Sequence, residues 1–395
     1  MPRFLSQAAM LLPAFSAFIL AAAAAAAAPA PPPASVTIAA KPARPIIENR
    51  GANNFLNFQM AVRNEGKLTL RISKIEVSAY DAQHRLALRK ALNTDAFAPS
   101  IAVIGETLLL PGKTLDVFNP FAEFEAQVPL AELDYSFCLQ RETTAAEKDA
   151  NLHRLPDDCD FIHALRVTPR VYPGKTALEL PLKGKVFVWE GHDHYAHHLR
   201  VPLDNAKVKA MGIAANSNQF AMDFIYTDEE GGEYQGDPRK PENWLSYGKP
   251  VYAPGAGVVR AAANDIPDNW FKDAAVTGIG HPELPPGKDP KDIGNYVLID
   301  HGDGEFSLLV HMKPGSVRVK AGEHVTQGEQ IGQIGFSGDS LFPHLHYSLM
   351  EGPEVEKDWG LPAYFTRFHR LYGEKSVAVE RGTVDSGDYV ESDIR

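Results

Sequence analysis

Residues 316–338, SVRVKAGEHVTQGEQIGQIGFSG, constrain the fold more than any other stretch of the chain. Glycine recurs at 322, 328, 332, 335 and 338, and polar residues alternate with Val and Ile between them. Glycine supplies the turn conformations that other residues resist, so the pattern describes short strands joined by tight turns. The same grammar runs through the chain. In FLNFQMAVRNEGKLTLRISKIEVSAYD one alternating run meets a polar turn at 64–67 and a second long run follows. TLLLPGKTLDVF, ALELPLKGKVFVW, KPVYAPGAGVVRAAAN and GNYVLIDHGDGEFSLLVHM repeat it with Pro and Gly at the turns. With 31 Gly, 30 Pro and 44% apolar residues, the chain has turns enough for β structure and apolar residues enough for globular cores.

The expected organisation is all-β. Residues 1–28 carry Arg3 followed by a long apolar run ending in alanines, the form of an export signal with cleavage near 26–28; a membrane anchor is the other reading of that run. Residues 29–34 are a Pro-rich linker, 35–185 an immunoglobulin-like β-sandwich, 186–205 a His-rich linker, 206–372 a second β core and 373–395 a C-terminal tail. The only two cysteines, Cys138 and Cys159, are expected to form one structural disulfide in an oxidising compartment, with two buried thiols as the alternative. Loop closure of this length contributes about 3 kcal/mol. The formal charge of −11, with no basic stripe interleaved with aromatics, argues against nucleic acid and anionic membrane surfaces as partners. After signal removal no stretch is apolar enough to span a bilayer.

NQFAMDFIY, residues 218–226, places one carboxylate in an apolar run. On a strand Phe220, Met222, Phe224 and Tyr226 share one face, and Gln219, Ala221, Asp223 and Ile225 the other. A half-buried acid needs a positive partner. In PHLHYSL, His344 and His346 leave one strand face together, opposite Leu345 and Tyr347. In LLVHMKP, His311 ends an apolar strand. Paired imidazoles either bind a metal or combine one ligand with one proton carrier.

From about residue 219 to 350 the chain resembles the lysostaphin-type (LytM-like) zinc metalloendopeptidases that act on peptidoglycan. GKPVYAPGAGVV, GNYVLIDHGDG, LVHM, VKAGEHVTQGEQIGQIGFSG and PHLHYSL occur in the family's order. The resemblance implies a lysostaphin-type antiparallel β core and a Zn2+ cofactor. It makes Asp223 and His346 metal ligands, and His311 and His344 the catalytic histidines. Zinc takes three protein ligands and an open position, and lowers the pKa of water to about 7. The departure is Gln219, which stands where the family has its first ligand histidine. Three outcomes follow. A histidine from 192, 194, 197 and 198 replaces it, with His198 the first candidate and His197 the second; or metal binding is weak or lost; or Gln219 itself serves as a weak ligand. The histidine cluster is equally readable as a solvated linker.

The expected activity is zinc-dependent endopeptidase action on cell-wall peptidoglycan peptides by an exported protein of the periplasm or cell envelope. The alternative is a catalytically degenerate member that binds peptidoglycan or regulates a partner hydrolase or another envelope protein.

Overall fold

The computed structural model describes residues 35–94, 99–143, 154–273, 275–284 and 293–392. The proposed signal and Pro-rich linker lie outside the described residues. Strands dominate, and most pairs are antiparallel.

In the N-terminal lobe a three-stranded sheet, Val36–Lys41, Gln59–Asn64 and Thr114–Phe118, faces a larger sheet. The latter is built from Phe161–Val167, Glu132–Arg141, Leu70–Tyr80 and Leu86–Asn93. Alternation in these runs sends Met60, Val62 and Val117 from one sheet against Ile72, Ile75, Val77, Tyr135 and Phe137 from the other, forming one sandwich core. The Tyr135 hydroxyl, fully enclosed, donates to Asn119 Oδ1 at 3.1 Å, so the ring is buried without leaving its polar end unpaired. Cys138 and Cys159 are joined by a disulfide at the margin of this lobe.

The C-terminal lobe is organised by one long antiparallel sheet. Its order is His324–Val325, Gly257–Ala263, Asn295–Asp300, Phe306–Met312, Leu345–Met350, Met222–Ile225, Lys185–Glu190, Tyr389–Ser392, Phe365–Tyr372 and Lys375–Gly382. Met222, Phe224, Leu309, Leu345 and Tyr347 all enter its main core, so Asp223 and His346 emerge on the opposite face, as period-two alternation requires.

Two expectations about boundaries are corrected. Residues 186–190 are not linker: Lys185–Glu190 pairs with Met222–Ile225 on one side and Tyr389–Ser392 on the other. Residues 375–392 are not a tail, because they supply two strands of the same sheet. The cause is visible in the packing. Val186, Val188 and Val390 alternate into the main core, but alternation specifies a strand without saying which sheet receives it.

The lobes belong to one compact unit and are bolted together by buried polar contacts. Glu48 meets His192 Nδ1 and Arg50 Nη2, each at 3.0 Å, and Arg50 also pairs with Asp385. Among the described residues no helix is long and apolar enough to cross a membrane.

Candidate metal centre

Three neighbouring strands set the site. Asp223 lies directly opposite His346 on one side and Glu190 on the other, so register alone draws Glu190, Asp223 and His346 into a row across the sheet. His344 stands one residue before the strand Leu345–Met350. His198 arrives from the short 3-10 turn His198–Arg200. All of these except Glu190 are less than a tenth exposed.

The distances place His346 Nδ1 3.0 Å from Asp223 Oδ1, His344 Nε2 3.4 Å from the same oxygen, and His198 Nε2 3.7 Å from Asp223 Oδ2. The donor atoms of His198, Asp223 and His346 lie within 4.8 Å of one another. Tetrahedral zinc with these donors needs ligand atoms about 3.4 Å apart, so two imidazoles and a carboxylate here fit a divalent metal. Gln219 is occupied elsewhere: its side-chain amide donates to the Asn57 carbonyl of the sandwich at 2.7 Å.

Hydrogen bonding sets each tautomer. His344 Nδ1 lies 2.7 Å from Phe342 O, and His311 Nδ1 2.9 Å from Ser337 O. A carbonyl only accepts, so both Nδ1 atoms carry hydrogen, and the neutral rings keep an Nε2 lone pair. For His346 the logic runs through a serine. Ser348 donates its hydroxyl hydrogen to Asn218 Oδ1 at 3.3 Å, so it accepts from His346 Nε2 at 3.0 Å. In the neutral ring that leaves the Nδ1 lone pair pointing at the Asp223 carboxylate, two acceptors face to face. Only a cation or an added proton between them relieves the contact.

Burial acts to raise the Asp223 pKa, but the positive charge that His344 and His198 carry when protonated, with the hydrogen bonds that His344 and His346 give in that form, outweighs it and holds the carboxyl well below its usual range. Burial lowers the His198 pKa to about 4 against the pull of Asp223, so the ring is neutral near pH 7, the form that ligates metal. Burial, reinforced by His344 and His346, also pushes His311 well down. For His344 burial is outweighed by Asp223, and its pKa rises.

His311 is placed by a backbone irregularity. One extra residue bulges the strand Phe306–Met312 between its pairings with Asn295 and Val297, and His311 takes φ 62°. That conformation is uncommon for a residue with a Cβ, and bulges of this kind re-aim a side chain. Its carbonyl partner, Ser337, is fixed by Gly294, which has φ 77° and packs so closely that a Cβ would fall 2.6 Å from the Ser337 carbonyl. The His311 ring centroid then lies 4.8 Å from that of His344 and 5.9 Å from that of His346.

Residues 244–357 match peptidase family M23. The chain carries an M23 domain. His311, His344 and His346 lie inside the matched stretch, whereas His198 and Asp223 precede it. The chain is 33% identical over 106 residues to peptidoglycan DD-endopeptidase ShyA of Vibrio cholerae, covering 27% of this chain and 18% of that one. It is 36% identical over 70 residues to cell division protein DipM of Caulobacter vibrioides, covering 18% of this chain and 11% of that one. An uncharacterized metalloprotease of Buchnera aphidicola is 38% identical over 56 residues, 14% of each chain. The matches thus span less than a fifth of these relatives.

The structure brings Asp223, His198, His344, His346 and His311 to one place around the M23 domain, and leaves Cys138 and Cys159 in the sandwich. Sequence reading misses Glu190, which bonds His197 Nδ1 and the His198 backbone, Ser337, whose carbonyl meets His311, and Ser348, whose hydroxyl meets His346. Ser348 had a legible signal: it lies two residues after His346, on the same strand face. Glu190 had none, because its position depends on strand register.

Proposed function

We propose that the chain is a zinc-dependent endopeptidase of the cell envelope that cleaves peptidoglycan peptides. The observation that carries this reading is the His346 Nδ1 lone pair directed at the Asp223 carboxylate, with the neutral His198 ring closing the third side. A metal held by His198, Asp223 and His346 supplies a Lewis acid and acidifies water. The chain supplies the proton handling. His311 and His344, each anchored through Nδ1 to a carbonyl, turn Nε2 to the reacting centre. One accepts a proton as water attacks the peptide carbon and returns it to the leaving nitrogen. The other, when protonated, donates to the developing oxyanion. The relatives' names, the apolar N-terminal run and the disulfide support the substrate class and an exported, periplasmic location.

The near-complete enclosure of Asp223, at 5% exposed, and His198, at 7%, favours a second reading. In it the lobe binds peptidoglycan or a partner hydrolase without cleaving. Zinc content and turnover of purified cell walls separate the two. The endopeptidase reading expects about one zinc per chain, lost in Asp223→Ala, His346→Ala and His198→Ala. It expects His311→Ala and His344→Ala to keep zinc and lose turnover. A parent that binds zinc but releases no peptide supports the binding module; undiminished turnover in both His311→Ala and His344→Ala overturns the mechanism.

A further inference from the structure

Glu190 has no part in the chemistry above, yet it is tied to His198 and its neighbour at three points. It closes the strand Lys185–Glu190 at a bulge between Val188 and Glu190, which turns its side chain toward the turn that carries the histidines. Its Oε1 accepts from the His198 backbone N–H at 3.1 Å and lies 3.6 Å from His198 Nδ1. Its Oε2 is hydrogen-bonded to His197 Nδ1. His198 Nδ1 is itself a buried polar atom without a hydrogen-bond partner.

A buried donor left unpaired is costly. Glu190 Oε1 lies 3.6 Å away, just beyond hydrogen-bonding distance, and a ring shift that closes this gap would complete the bond. That motion leaves the hydrogen on Nδ1 and the lone pair on Nε2, the atom facing Asp223 Oδ2. We infer that Glu190 is the positioning carboxylate of His198: it fixes both the backbone and the tautomer that let a residue from outside the M23 match stand in for the histidine absent at position 219. The inference rests on His198 being a metal ligand. Carboxylates placed behind ligating histidines orient the ring and strengthen its donor. His197, whose ring is largely exposed, competes for the same carboxylate and is not needed for the metal.

The test measures zinc affinity of the full chain by chelator competition, together with the visible spectrum of the cobalt-substituted protein. Glu190→Ala is expected to weaken zinc binding about 10–100-fold and to change the cobalt band. Glu190→Gln, which still accepts a hydrogen bond, is expected to recover part of both. His197→Ala is expected to bind within about threefold of the parent, well inside the effect of losing an orienting group. If Glu190→Ala binds like the parent while His198→Ala has lost the metal, the positioning role is wrong and the ligand assignment stands. If His198→Ala binds like the parent, the ligand assignment fails and this role with it. Two zinc ions per chain, one lost in His197→Ala, overturn the role by making Glu190 a ligand.

Discussion

Gln219 and His198 offer a crossed experiment, because the structure gives them opposite duties. Gln219 is 3% exposed and donates to the equally buried Asn57 across the lobe junction. Truncation to Ala strands that carbonyl, at about 1–3 kcal/mol, and removes one buried methylene, at about 0.8 kcal/mol. The expected loss is about 3 kcal/mol, read by urea unfolding in the presence of a chelator. In zinc at a hundred times its dissociation constant, a bound ion adds about 2.7 kcal/mol to the parent. Gln219→Ala keeps that increment on a lowered baseline. His198→Ala loses the increment; emptying the buried space its ring fills beside His346 lowers its chelated baseline as well, so the two variants are told apart by the zinc increment. The reverse pattern, with Gln219→Ala stable in chelator but indifferent to zinc, would refute the assignment of both residues.

Arg50→Met removes the guanidinium that joins Glu48, Asp385 and the His192 carbonyl. Glu48 is left charged and fully buried, so unfolding free energy falls by about 3–5 kcal/mol; adding Glu48→Gln recovers a substantial part, and a loss under about 1 kcal/mol for the single variant contradicts the role given to the pair. Asp116 titrates at about 6, raised by burial and then by Asp204. The folded state therefore holds this proton more tightly than the unfolded chain, so the linked stability is present below about pH 4. It is lost as pH rises through about 6. Asp116→Asn flattens that segment of the stability profile, and an unchanged slope across it counts against the assignment.

The linker histidines show where sequence is informative and where it stops. His192, His194, His197 and His198 look alike in HDHYAHH, yet they meet different fates. His192 is sealed against Glu48, and His194 sits beside the Arg200 guanidinium. His197 leans on Glu190 and only His198 reaches Asp223. Nothing local distinguishes them; their partners come from strands up to about 150 residues away in sequence, and such pairings are set by register. Period-two alternation, by contrast, is a local property. It put His344 and His346 opposite Leu345 and Tyr347, and Asp223 opposite Met222 and Phe224, which is how the packed sheet holds them. The bulge at His311 was not legible, because the extra residue is defined only against the neighbouring strand.

The sheet's continuity bears on how this protein can be dissected. Expressing residues 244–357 alone would discard Met222–Ile225, Lys185–Glu190 and every strand beyond them. Such a fragment would keep three of the site's histidines, His311, His344 and His346, but end at a raw flank, with the amides and carbonyls of Leu345–Met350 facing solvent where the Asp223 strand had been paired. Unpaired borders of that sort recruit other chains. The excised piece is therefore expected to clump and to bind no metal, whereas a fragment beginning before Lys185 and running through Ser392 retains the whole ligand row.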